Sequence, residues 1–157
     1  MLPRIGPFPR PVRSPARTTP PRDGVPVALY DGHCKICTSQ ALQLRETAGG
    51  RLAVQDFQAK GVLDAFPGLT HEACMKALHV VDREGRVAVG AEGVVWALGL
   101  GRPLLGALAR GYYVPGVRTL CDLAYHFVAR YRYQLFGKVG GKRTVVCDED
   151  ACAVHFT

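Results

Sequence analysis

Cys34 and Cys37, three residues apart, are the pair in this sequence best suited to chemistry. On a helix that spacing lets the two sulfurs meet across one turn, close enough to bond. The apolar run Val27-Ala28-Leu29-Tyr30 and the turn pair Asp31-Gly32 come just before them. Cys34 is therefore expected at a helix N-terminus, where unpaired N–H groups and the positive end of the macrodipole favour thiolate over thiol. That makes Cys34 the expected nucleophile, and Cys37, one turn inward and less exposed, the resolving thiol. His33 and Lys35 add positive potential. Asp31 has two candidate roles: an N-cap accepting from the first helical turn, or a carboxylate assisting proton transfer to the leaving thiolate. Gly32 is expected to supply a backbone conformation closed to bulkier residues.

A Cys-x-x-Cys pair is also half of a zinc knuckle. Cys147 and Cys152, with His155 nearby, supply a candidate second half, so a zinc-stabilised binding module built on Cys34, Cys37, Cys147 and Cys152 is the competing reading. The same two cysteines would serve equally as an auxiliary redox pair or as inert thiols, and spacing does not separate these. The placement of Cys34 and Cys37 at the opening of a helix, after a buried strand, favours redox over zinc. Cys74 and Cys121 read as small apolar core residues. His79 lies inside a strand, and Tyr112, Tyr113, Tyr125, Tyr131 and Tyr133 read as an aromatic cluster at core and interface.

The elements that must position the dithiol follow from pattern. Residues 27–30 form a short buried strand. From Cys34, the positions Cys37, Ala41, Leu44 and Ala48 recur at helical spacing until Gly49-Gly50. Residues 52–57 read as a second strand and 62–66 as a short helix stopped by Pro67-Gly68. Residues 77–81 and 86–89 form a hairpin, and 91–100 a helix. This β-α-β-α-β-β-α order predicts an α/β fold, with a thioredoxin-like mixed four-stranded sheet flanked by helices. An added C-terminal amphipathic helix carries Val117, Leu120, Cys121, Ala124, Phe127 or Val128, Tyr131 and Leu135 as an apolar stripe expected to pack onto the core. Residues 138–157 give no clear pattern.

With 157 residues and a 48% hydrophobic fraction, the chain has enough for one sizeable core. The net charge of +7 could suggest a nucleic-acid partner, but much of it sits at the front. Five arginines and seven prolines, with no acid, fall within the first 22 residues. Residues 1–25 are therefore expected to be a disordered Pro/Arg-rich arm and 26–157 the folded domain, with no nucleic-acid partner. The opening lacks an apolar export segment. The longest apolar stretch, Val94 to Leu108, is broken by Gly99, Gly101, Arg102 and Pro103 and is too short to span a bilayer. The expectation is a cytoplasmic protein without stable membrane insertion, metal or organic cofactor.

At Tyr30-Asp31-Gly32-His33-Cys34-Lys35-Ile36-Cys37 the sequence resembles the DCC family of thiol-disulfide oxidoreductases, whose signature is D-G-x-C-x-x-C after a strand. Residues 78–82 with 85–87 and 90–91 are similar to the family's hairpin and following turn, and residues 130–137 to its closing R-Y-x-x-F-G signature. The resemblance spans about 26 to 155. It implies a thioredoxin-like fold and a disulfide-reductase type of activity on a disulfide or thiol substrate, protein or small thiol, with Asp31, Cys34 and Cys37 on the signature positions. Thioredoxins place a cis-proline before the third strand, beside the dithiol. Here that run is Ala73-Cys74-Met75-Lys76, so a narrower or small-thiol substrate is expected.

Overall fold

The computed structural model describes residues 17–101, 103–140, 143–148 and 151–156. Strand β1 (Val27–Tyr30) is followed by helix α1 (Lys35–Thr47), strand β2 (Ala53–Asp56), helix α2 (His71–Lys76), and strands β3 (His79–Val81) and β4 (Val87–Val89). Helices α3 (Ala91–Gly99), α4 (Pro103–Arg110) and α5 (Val117–Leu135) come next, then strands β5 (Arg143–Asp148) and β6 (Ala151–Phe156). The main sheet has the order β2-β1-β3-β4, with β1 parallel to β2 and antiparallel to β3, and β3 antiparallel to β4. This is the expected mixed four-stranded, thioredoxin-like sheet flanked by helices.

All four residues of β1 are buried, because alternate side chains serve two cores. Ala28 and Tyr30 join Leu44, Val54, Val80 and Trp96 beneath α1 and α3. Val27 and Leu29 join Phe57, Phe66, Cys74 and Val81 on the other face. Strand β1 therefore ends, at Tyr30, between two packed layers, and whatever follows it starts from a fixed point.

Several expectations are revised. Residues 62–66 make only a short 3-10 turn, Leu63–Ala65, and the helix lies later, at α2, capped by the Thr70 side chain accepting from the Ala73 N–H. The apolar run after α3 contains a second helix, α4, opened by Pro103, a residue suited to a first helical turn. Strands β5 and β6, which the pattern did not indicate, pair antiparallel with Cys147 directly opposite Cys152. Of the expected disordered arm, residues 1–16 lie outside the described part. Its last portion is docked: Arg17 bridges Arg86, the Thr18 N–H donates to the Gly85 carbonyl at 2.9 Å, and the Thr18 hydroxyl donates to the Pro67 carbonyl at 2.9 Å.

The largest revision concerns α5. Its apolar stripe does not pack onto the core: Leu120, Phe127 and Leu135 are 68%, 60% and 58% exposed. The helix is held instead by polar atoms. The Tyr125 hydroxyl accepts the Leu78 N–H at 2.7 Å, Asp122 accepts the Tyr112 hydroxyl at 2.6 Å, and Arg132 and Tyr133 reach Asp31. Periodicity identifies the apolar side of a helix but not what will cover it. Among the described residues no helix is long and apolar enough to cross a membrane.

Candidate active site

The loop from Asp31 to Cys34 hangs between two buried carboxylates. Asp56, at the end of β2 and fully buried, accepts the Gly32 N–H at 2.9 Å and the Gln58 N–H at 3.0 Å through the same oxygen. Asp31 is equally buried, and each of its oxygens takes two donors. Oδ1 accepts from the His33 N–H at 3.0 Å and from Gln58 Nε2 at 3.2 Å. Oδ2 accepts from Arg132 at 3.1 Å and from the Tyr133 hydroxyl in a very short bond. Burial, helped by the adjoining carboxylate, pushes the Tyr133 phenol upward, so it stays protonated and donates.

This pattern corrects the expectations for two residues. Asp31 is not the N-cap of α1, because its lone pairs are occupied by other donors. Cys34 is itself the N-cap, with extended backbone, and its sulfur accepts the Cys37 N–H at 3.3 Å. Gly32 is not among the residues with positive φ. It is required for space instead, since a Cβ there would overlap the Asp56 carboxylate.

Cys34 and Cys37 are bonded to each other, with Cα atoms 5.2 Å apart. Their exposure is the reverse of that expected. Cys34 is completely buried, whereas Cys37 is partly exposed. The cover on Cys34 is the strand-like segment after α5: Lys138 bridges Cys34 in antiparallel fashion, and the Val139 N–H donates to the His33 carbonyl at 3.0 Å. Cys37 faces a groove of about 570 Å³ between α1, α3 and α5. Arg132, 5% exposed, also lines this groove, and its Nε has no hydrogen-bond partner. His33 lies at the rim with Nδ1 3.9 Å from Asp31 Oδ1, and Lys35 is exposed in the first turn.

Other singled-out residues stand apart from the dithiol. Cys74 is a buried free thiol whose ionisation burial pushes up to about 11, and Cys121, half-buried, lines the groove. His79 is buried beside the Ala77 carbonyl, and desolvation lowers its pKa from the ordinary 6.5. The tyrosines form no single cluster: Tyr112 and Tyr113 pack edge to face, Tyr131 packs on Phe127 at the surface, and Tyr125 and Tyr133 bind separate backbone and carboxylate groups. Where thioredoxins carry their proline, Ala77-Leu78 precedes β3.

Among the described residues no group of three or more His, Cys, Asp or Glu is placed to hold a metal ion. The side chains of Cys147, Cys152 and His155, which the zinc reading needs, lie outside the described part. Sequence reasoning missed Arg132, Gln58 and Asp56 as parts of the site. The signal for Arg132 and Tyr133 was the R-Y-x-x-F-G string, which the structure places at residues 132–137, but nothing in the string tied it to Asp31, 101 residues earlier. A family model described as DCC1-like thiol-disulfide oxidoreductase matches residues 28–138, from β1 to the segment covering Cys34. No curated protein and no solved structure matches the chain.

Proposed function

The chain belongs to the DCC1-like thiol-disulfide oxidoreductase family, and from that premise we propose that it exchanges disulfides through Cys34 and Cys37, holding thiolate charge at Cys34. The observation that carries this is the N-cap position of the Cys34 sulfur, which accepts the Cys37 N–H at the positive end of a 13-residue helix. Asp31 is a positioning residue in this scheme. Its four donors fix the loop before Cys34. Gly32 and Asp56 hold the same loop from the β2 side.

Substrates are disulfides or thiols, and the electrons that restore the dithiol come from a second thiol. The working unit begins near residue 26, with Arg17 and Thr18 tied to its edge. We assign it to a reducing compartment, the cytoplasm, in keeping with the free thiols Cys74 and Cys121. Nucleic acid has no part in this reading.

The test is equilibration of the purified protein in glutathione buffers of graded ratio, with the Cys34–Cys37 state read by alkylation and mass, alongside turnover of hydroxyethyl disulfide. A two-electron titration, and turnover abolished by either cysteine-to-serine change, is the expected result. Turnover that survives Cys34→Ser and Cys37→Ser together would remove the proposal.

A further inference from the structure

The groove and the cover on Cys34 together specify which sulfur meets the substrate. Cys34 is completely buried, with the Lys138 backbone bridged to it and the Val139 N–H on the neighbouring His33 carbonyl, and its sulfur accepts the Cys37 N–H as the helix cap. Cys37 opens onto a groove whose walls are largely apolar, with Ile36 and Leu44 from α1, Val94 and Leu98 from α3, and Val128 from α5. Its volume of about 570 Å³ lies in the range of small-molecule sites. Arg132, one of the residues lining it, carries a buried Nε that lacks a partner. An orphaned buried donor is costly, and a ligand acceptor would satisfy it.

We propose that this groove binds the apolar part of the substrate and that the substrate sulfur bonds to Cys37, with Cys34 as the stabilised partner thiolate. This reverses the order that helix position alone suggests, and it rests on the disulfide-exchange reading above. Thiolate character and nucleophilicity pull in opposite directions: the more stabilised thiolate attacks less readily but leaves more readily. Cys34 therefore suits the inner position and Cys37 the outer.

In the reductive direction, the Cys37 thiolate attacks one sulfur of a substrate disulfide. The substrate S–S bond breaks, and the leaving thiolate takes the electron pair and a proton from solvent. The Cys34 thiolate then attacks the Cys37 sulfur, the mixed disulfide breaks, and the second substrate thiolate leaves and is protonated. Two electrons have passed to the substrate, and Cys34–Cys37 is oxidised. A thiol reductant returns it by the reverse steps, attacking at Cys37 and expelling Cys34. The preferred substrate is a disulfide whose sulfur carries an apolar chain and, near it, a carbonyl or carboxylate acceptor for Arg132.

The experiment uses the full chain with two disulfides: dibutanoyl cystamine, which carries an apolar chain and an amide carbonyl, and hydroxyethyl disulfide. Cys34→Ser keeps a side-chain acceptor at the cap, and it should accumulate a mixed disulfide on Cys37 detectable by intact mass, whereas Cys37→Ser should not. Wild type should prefer the apolar substrate in kcat/KM, by about fourfold for each methylene buried. Val128→Lys, at a partly exposed position, should reduce that preference at least tenfold. Adducts on Cys34 in Cys37→Ser, or equal trapping in both variants, would overturn the assignment while leaving disulfide exchange intact. An unchanged preference in Val128→Lys would overturn the groove. Failure of wild type to reduce either compound would instead strike the exchange reading itself.

Discussion

Replacing Gly32 by alanine separates two reasons for a glycine in this turn. A Cβ at that position overlaps the carboxylate of Asp56, and the overlap cannot be relieved by a small shift. The loop is held on one side by the Gly32 N–H on Asp56 and on the other by the His33 N–H on Asp31. Asp56 is in turn fully buried and bound to the Gln58 N–H. Losing a buried hydrogen bond to a charged acceptor costs about 1.5–3 kcal/mol, and overpacking adds about 1–3 kcal/mol. The expected loss for Gly32→Ala is therefore about 2.5–6 kcal/mol. Trp96, the only tryptophan and a buried one, reports unfolding by fluorescence. With a urea slope of about 2 kcal/mol per molar, the midpoint should fall by at least about 1 M. In an Asp56→Ala background the same change should cost much less, giving a coupling of at least about 1 kcal/mol. Asn at position 32 should be worse than Ala, because the defect is volume and not a left-handed backbone. Additive effects, or Asn tolerated better than Ala, would refute the steric account.

Asp31→Ala leaves the buried Arg132 guanidinium without its carboxylate and should destabilise by about 3–5 kcal/mol, whereas Tyr133→Phe should cost only about 1 kcal/mol; equal losses in denaturation midpoints would contradict this. Because burial lowers the folded-state pKa of His79 below 6.5, its contribution is fully present above that pH and is lost as pH falls through the folded value. Stability measured from pH 7.5 to 5 should accordingly decline less in His79→Gln. Deleting residues through Ala16 should leave stability unchanged, while deleting through Arg22 should cost about 1–3 kcal/mol from the two Thr18 hydrogen bonds; identical melting of the two truncations would show that the docked segment contributes nothing. Iodoacetamide at pH 8.5 should label Cys121 and spare Cys74, whose thiol is buried and shifted to about 11; rapid labelling of Cys74 in folded protein would count against that placement.

The parts of this fold legible in the sequence are those with local causes. The run 27–30, the turn at Asp31-Gly32, the dithiol at a helix start and the hairpin across residues 82–85 each carry their own signal within about ten residues, and each is found in place. Helix α2 was missed because six residues offer too little periodicity, and α4 because Gly99 and Gly101 obscure a restart at Pro103. Exposure of the two cysteines was misjudged for a different reason: position in a helix says nothing of a segment that returns from residue 138. The orientation of α5 depends on Arg132, Tyr133 and Tyr125 finding Asp31 and Leu78 far away in sequence. No pattern within the helix contains those partners, so its most regular apolar stripe pointed to the wrong face.

The return of the chain onto its own beginning also bears on how the protein is made. Cys34 and Cys37 leave the ribosome early, whereas Arg132, Tyr133 and Lys138 emerge roughly 100 residues later. At about 5–20 residues per second, the dithiol spends on the order of 5–20 seconds on a nascent chain that lacks both the countercharge of Asp31 and the cover of Cys34. During that interval it is an unguarded thiol pair, open to any disulfide it meets. Only the last helix and the few residues after it bring Arg132 to Asp31 and Lys138 to Cys34.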